Sequence, residues 1–103
     1  MAKVFAMYRT PADPAAFDRY YFETHVPIAT KLPGLRGYDV TRGSVSGLDG
    51  TPAPYHLIAT LTFDSRAAIE AALASPEGQA TAADLANFAA AGVDLYYAES
   101  EAV

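Results

Sequence analysis

An α+β fold, with helices laid on one face of a four-stranded antiparallel sheet, is the architecture predicted by the 103-residue sequence. Three observations predict it. The segments follow the order strand, helix, strand, strand, helix, helix, strand. The stretch "YHLIATLTF", residues 55–63, has the period-two alternation of a strand with one wholly apolar side. Asp13-Pro14 and Ser75-Pro76 each set a capping side chain before a proline, the pattern of a helix start. Two β-α-β halves in this order make the ferredoxin-like arrangement, and residues 1–103 form a single domain.

Each element has a local reason. "KVFAMYR", residues 3–9, is a short apolar and aromatic run bounded by "TPADP", so the first strand is expected there. Asp13 caps the first helix. On a helical wheel Phe17, Tyr20, Tyr21 and Thr24 share one face, with Asp18, Arg19 and Glu23 on the other and His25 at the edge of the apolar side. A residue preceding proline is driven away from helical backbone, so Pro27 is expected to end this helix near His25, and "KLPG" turns the chain. The second strand is placed in "LRGYDVTRGSV", residues 35–45, where Tyr38 and Val40 lie two apart and so share one face.

In residues 55–63, Tyr55, Leu57, Ala59, Leu61 and Phe63 are expected on one side and His56, Ile58, Thr60 and Thr62 on the other. Asp64 or Ser65 caps a helix that buries Ala68, Ile69, Ala72 and Leu73. The following helix starts at Ser75-Pro76, packs through Gly78, Ala82, Leu85 and Ala89, and ends at Gly92. "VDLYYAE", residues 93–99, is the last strand. The outer side of residues 55–63 carries Ile58 among threonines and no lysine or glutamate. A second copy of the chain is therefore expected to cover it, making a homodimer.

Composition narrows the function. A hydrophobic fraction of 51% with 18% charged residues is that of a folded protein. Seven basic against twelve acidic residues, net −5, argue against nucleic acid and anionic membrane as partners. No apolar run is long enough to span a membrane, and "MAKVFAMYRT" lacks the apolar segment of a signal peptide, so the cytoplasm is the expected location. With no cysteine there is no disulfide and no thiolate nucleophile. The two histidines, His25 and His56, have no short-spaced ligand partner, so no metal site is expected. Glycine-rich nucleotide loops and G-x-S-x-G are absent, and no cofactor is expected.

His25 is the candidate acid/base group, because its unperturbed pKa lies nearest neutrality. The alternative is a histidine that caps the last helical carbonyls and packs on Tyr21. Tyr38, if it faces the helices, meets His25 across a cleft as a proton donor; otherwise it is a buried tyrosine bonded to a carbonyl. Tyr8, Tyr21 and Phe88 are placed in the pocket wall as substrate-binding residues. His56 is expected on the open face of the sheet, as an interface residue. Asp84 and Asn87 fall off the apolar stripe and are expected at the solvated surface.

The segments "YRTPADPAAFDRYYFETHVPIATKLPGLRGYDV", "PYHLIATLTFDS" and "ALASPEGQATAADLANFA" together resemble the EthD family of the dimeric α+β barrel superfamily. The stretch joining "FDRYYFETHVP" to "LPGLRGY" is the most specific. The resemblance implies a ferredoxin-like subunit that pairs sheet to sheet with its copy, and a pocket between sheet and helices. In related barrel enzymes, such as methylmuconolactone methylisomerase and some polyketide cyclases, a histidine matching His25 does acid/base work. The isomerase also has a tyrosine matching Tyr38, and it uses a cysteine that has no counterpart here. Members associated with ether degradation are often labelled oxidoreductases. Two functions follow as expectations: a cofactor-independent acid/base enzyme on a small apolar or aromatic carbonyl or lactone compound, or a non-catalytic protein that binds such a ligand in an oxidative pathway.

Overall fold

In the computed structural model, which describes residues 1–103, β1 (Ala2–Arg9) and β3 (Tyr55–Phe63) lie side by side at the centre of one sheet. β2 (Gly37–Val40) and β4 (Val93–Glu99) form its edges, in the order β2-β3-β1-β4, every neighbouring pair antiparallel. The helical segments α1 (Pro14–Tyr20), α2 (Val26–Ala29), α3 (Arg66–Ala74) and α4 (Pro76–Phe88) connect them. Each β-α-β half is split by a strand of the other, which is the ferredoxin-like topology.

One face of the sheet carries the core. Ala2, Ala6 and Tyr8 from β1 and Leu57, Ala59, Leu61 and Phe63 from β3 are buried with Phe17, Tyr21, Leu32, Ile69 and Ala72. Full burial of a side chain such as Ile69 or Phe63 contributes about 1.5–3 kcal/mol. Tyr38 stands opposite Leu61 and Val40 opposite Ala59, so both face the helices, as their spacing suggests. The register puts Phe5, Met7, Ile58, Thr60 and Tyr96 on the other face.

The expected helix starts are present. Asp13 accepts from the Ala16 N–H, Ser65 from Ala68 and Ser75 from Gly78, each satisfying a donor of a first turn. The Ser75 hydroxyl also donates to the Ala72 carbonyl, so one residue closes α3 and opens α4. The turn is so tight that a Cβ on Gly78 would lie 2.1 Å from the Ala72 oxygen. α4 ends at Phe88, and Gly92, at φ +110, turns the chain into β4.

Four expectations need correction. The first helix does not stop at His25. Residues Tyr21–His25 form a π-helical turn, in which the Val26 N–H bonds to the Tyr21 carbonyl, and α2 continues through Pro27. Proline at the first positions of a helix costs little because its missing N–H would have had no partner there; the wider turn before it lets Val26 keep helical backbone.

Second, the β1–β3 register shifts so that Tyr8 opposes Leu57 and Arg9 opposes Tyr55, leaving His56 as the extra residue of a bulge. Tyr55 therefore lies on the outer face, where its hydroxyl donates to Asp94, the ion-pair partner of Arg9. His56 turns toward α1 instead, with Nε2 2.7 Å from Asp18 Oδ1. Third, β2 is only four residues long, the loop after it being tied by a bridge between Ser46 and Pro52. Fourth, Leu73 is 46% exposed, because the sharp α3–α4 turn leaves it outside the core formed by Ile69 and Ala72.

Candidate functional site

The π-helical turn determines where the candidate histidine sits. Tyr21 and His25, at its two ends, are both buried, at 0% and 3% exposure. A π turn inside an α-helix often marks a functional site, since the extra residue re-aims the side chains around it. Here the His25 ring packs 5.4 Å from the Tyr21 ring and 4.7 Å from the Phe88 ring, between the first helical segment and α4.

His25 is held by a carboxylate. Its Nδ1 lies 2.9 Å from Asp84 Oδ2. The other oxygen of Asp84 accepts from the Tyr20 hydroxyl at 2.6 Å and from Asn87 Nδ2 at 3.0 Å. Burial pushes the Asp84 carboxyl up, but the hydrogen bonds from Tyr20, Asn87 and His25 and the attraction of the imidazole outweigh it, and the carboxyl lies below its ordinary value. An ionised carboxylate only accepts, so Nδ1 carries a proton, and Nε2 is the nitrogen that can take up or release one.

Nε2 makes no hydrogen bond, yet no buried side-chain nitrogen or oxygen of the protein lacks a partner. Nε2 must therefore touch accessible space, and the space that His25 borders is a cavity of about 280 Å³ between sheet and helices. The same reasoning applies to Tyr8, which is 2% exposed, lines the cavity and makes no side-chain hydrogen bond. Its hydroxyl is pushed up by burial, with the neighbouring Tyr38 and Asp84 adding to the effect.

Tyr38 also lines the cavity, but its hydroxyl lies 2.7 Å from that of Tyr21 rather than against His25. Burial raises Tyr38 while its hydrogen bond with Tyr21 opposes the rise, whereas Tyr21 is raised by burial and by Tyr38 together. Either hydroxyl can be the donor of this pair, so a ligand oxygen reached by Tyr38 can take its proton while Tyr21 donates to the Tyr38 oxygen. Aliphatic side chains such as Leu61, Leu32 and Leu85 complete the wall.

Of the residues singled out in the sequence, His25, Tyr38, Tyr21 and Tyr8 come together at this cavity. Phe88 does not border it. It stands behind the imidazole, in contact with the rings of Tyr8, Phe17, Tyr20 and Tyr21. Asp84 was expected at the surface and is 6% exposed. Asn87, expected there too, is exposed but bonded to Asp84. Thr81, Leu85 and Phe88 all turn inward, and Asp84, three after the first and four before the last, shares that face; this spacing is the signal in the sequence that could have found it.

A ferredoxin-like subunit enclosing a mainly apolar cavity, with a buried histidine-carboxylate pair in its wall, is the class of protein defined by this fold and site. The EthD domain model matches residues 9–92, and the chain belongs to the EthD family. A Rhodococcus erythropolis protein described as an uncharacterized 11.0 kDa protein in the thcB-thcC intergenic region is 43% identical over 103 residues, covering 100% of this chain and 98% of that one. The structure of an ethyl tert-butyl ether D (EthD) family protein from Bacillus halodurans is similar at a TM-score of 0.89 and 35% identity, over 98% of this chain and 99% of the other. SnoaB, a cofactor-independent oxygenase from Streptomyces nogalater, shares the fold at a TM-score of 0.67 and 15% identity, over 99% of this chain and 94% of its own. No helix is long and apolar enough to cross a membrane.

Proposed function

We propose that the chain is a cofactor-independent acid/base enzyme acting on a small, mostly apolar or aromatic carbonyl or lactone compound, with His25 as the proton carrier. The observation that carries this reading is the unpartnered Nε2 of a buried histidine, held by Asp84 through Nδ1 and exposed to an apolar cavity. A carboxylate on Nδ1 fixes the tautomer that leaves Nε2 as the base and stabilises the imidazolium that forms. In the proposed step Nε2 removes a proton from a carbon next to the carbonyl, and the electron pair moves onto the carbonyl oxygen. The Tyr8 and Tyr38 hydroxyls donate to that oxygen as its charge grows. Return of the proton from Nε2 to a different carbon completes an isomerisation; in a ring closure the enolate carbon instead attacks a second carbonyl carbon and Nε2 returns its proton to the alkoxide that forms, with no net change in protons in either case. SnoaB adds support from the fold alone, as a neighbour that works without a cofactor.

We also propose that two copies pair through the outer faces of their sheets. Phe5, Met7 and Ile58 lie there between strands that carry no helix on that side, and Tyr96 is 63% exposed.

The test is turnover of a panel of aromatic lactones and polyketide-like ketones, pre-selected by thermal shift. With a true substrate, His25→Asn should keep the fold and bind within a few-fold of the parent while turnover falls by about 10²–10⁴. Binding without turnover of any candidate, and variants that change affinity alone, would instead establish the ligand-binding function.

A further inference from the structure

We infer that the molecule taken by the cavity is an uncharged ring compound bearing a weakly acidic hydroxyl, a phenol or an enol, whose proton passes to His25 Nε2 on binding. The inference rests on the acid/base reading of His25. It adds to that reading which oxygen acid the site selects and what it turns away.

The charges around the cavity carry the argument. No lysine, arginine, aspartate or glutamate lines it. The groups facing His25 are Tyr21 from its own turn, Asp84 and Phe88 from α4, Tyr20 through Asp84, and the phenols of Tyr8 on β1 and Tyr38 on β2 across the cavity; none is a cation. A permanent anion entering this space would meet apolar walls with an ionised carboxylate behind the imidazole. Burial of a charge without a partner is expensive.

A weak acid avoids that cost because it brings the proton with it. Its O–H bond breaks and an Nε2–H bond forms, giving an imidazolium between the Asp84 carboxylate and the new oxyanion, while no net charge has entered. Tyr8, which makes no side-chain hydrogen bond, and Tyr38, whose proton is free when Tyr21 is the donor of their pair, are phenols of the lining that can donate to the oxyanion. At about 280 Å³ the cavity is near the lower end of ligand pockets, which suits one or two fused rings rather than a long chain.

Three molecules with one ring system test this at pH 8: 2-naphthol, 2-naphthoate and 2-methoxynaphthalene. A carboxylate arrives without a proton, so above the usual histidine range its binding must draw one from water and weakens about tenfold per pH unit. Naphthol, still protonated there, carries its own. Naphthol should bind at least about tenfold more tightly than either analogue, a difference of about 1.4 kcal/mol. Bound naphthol should show the absorbance of the naphtholate at pH 8, where free naphthol is still protonated, and binding should release no proton to the buffer. His25→Asn should abolish the naphtholate spectrum and bring naphthol affinity to that of the methyl ether. Naphthoate binding as tightly as naphthol, bound naphthol remaining neutral, or no naphthol binding up to its solubility each overturns the inference. If naphthol binds neutral while His25→Asn still removes turnover of another substrate, the acid/base function stands and this selection rule alone fails.

Discussion

His25 and Asp84, 59 residues apart in sequence, meet at 2.9 Å between Nδ1 and Oδ2, with side chains exposed by only 4% and 6%. An asparagine at position 84 keeps the shape but can present an amide N–H to Nδ1, which favours the tautomer with its proton on Nε2. Asp84→Asn should therefore leave a folded protein whose turnover is lowered by about 10²–10⁴, comparable to the loss in His25→Asn, and the double variant should be little worse than either. Equal turnover in Asp84→Asn and the parent would show that the carboxylate does not act through His25.

The same carboxylate leaves a mark on stability. Its folded pKa is below its ordinary value, burial raising it but the three hydrogen bonds and the imidazole prevailing. A depressed carboxyl contributes stability that is fully present above the unfolded value, about 3.9, and lost as pH falls through the folded value. The carboxylate's contribution to the difference in Tm between the parent and Asp84→Asn should accordingly be present above about pH 4 and should shrink as pH falls below it. Thermal melts across that range check it; a gap that grows on acidification contradicts it.

The α3–α4 corner yields a test of packing. A Cβ at Gly78 would meet three backbone atoms of Ala72 and Leu73 within 2.7 Å, none of which can rotate away. Gly78→Ala should cost about 2–3 kcal/mol, and because Gly78 lines the cavity it should also weaken ligand binding. Gly43, at φ +78 with nothing within 4 Å of its Cβ position, suffers only the backbone penalty of about 1 kcal/mol as alanine. Denaturant midpoints that place the two variants together would rule out the tight corner.

The contrast between legible and hidden features runs along physical lines. The strands, the Asp13, Ser65 and Ser75 caps, and the inward face of Tyr38 depend on neighbours within a few residues, so the sequence displays them. The π turn at Tyr21–His25 involves a local conflict, proline within a helix, that a wider turn resolves without breaking the helix. His56 and Tyr55 exchanged faces because a bulge adds one residue, and a period of two then inverts. Asp84 was hidden for a different reason. A carboxylate is buried only with donors, and two of its three come from Tyr20 and His25, on the far side of the chain. The segments that carry the EthD resemblance include both the stretch around His25 and the "ADLANF" that contains Asp84, but the resemblance implied a role for the histidine only, so nothing in it drew attention to the carboxylate.

Sheet pairing is tested at Ile58. On the proposed interface a lysine there would bury an unpaired charge at a cost of several kcal/mol. Sedimentation at micromolar concentration should give twice the 10.9 kDa chain mass for the parent and shift toward the single chain for Ile58→Lys. A parent that sediments as one chain removes the pairing, though not the cavity, whose lining comes from a single copy.

Tyr8, Tyr21 and Tyr38, three of the tyrosines that line the cavity, separate stability from chemistry. The Tyr8 hydroxyl has no partner in the protein, so Tyr8→Phe removes no hydrogen bond and should leave Tm unchanged or slightly raised. Tyr21→Phe deprives Tyr38 of the hydroxyl 2.7 Å away and should cost about 1 kcal/mol. If Tyr8 and Tyr38 both donate to a developing oxyanion, Tyr8→Phe and Tyr38→Phe should each lower turnover by up to about 10²–10³, whatever they do to Tm. Their losses should be non-additive, because one oxygen accepts from both. Tyr21→Phe should lower turnover less, acting only by loosening Tyr38. Full turnover in Tyr8→Phe would mean that its free hydroxyl faces the cavity without touching the reacting oxygen, and the role would then rest on Tyr38 alone.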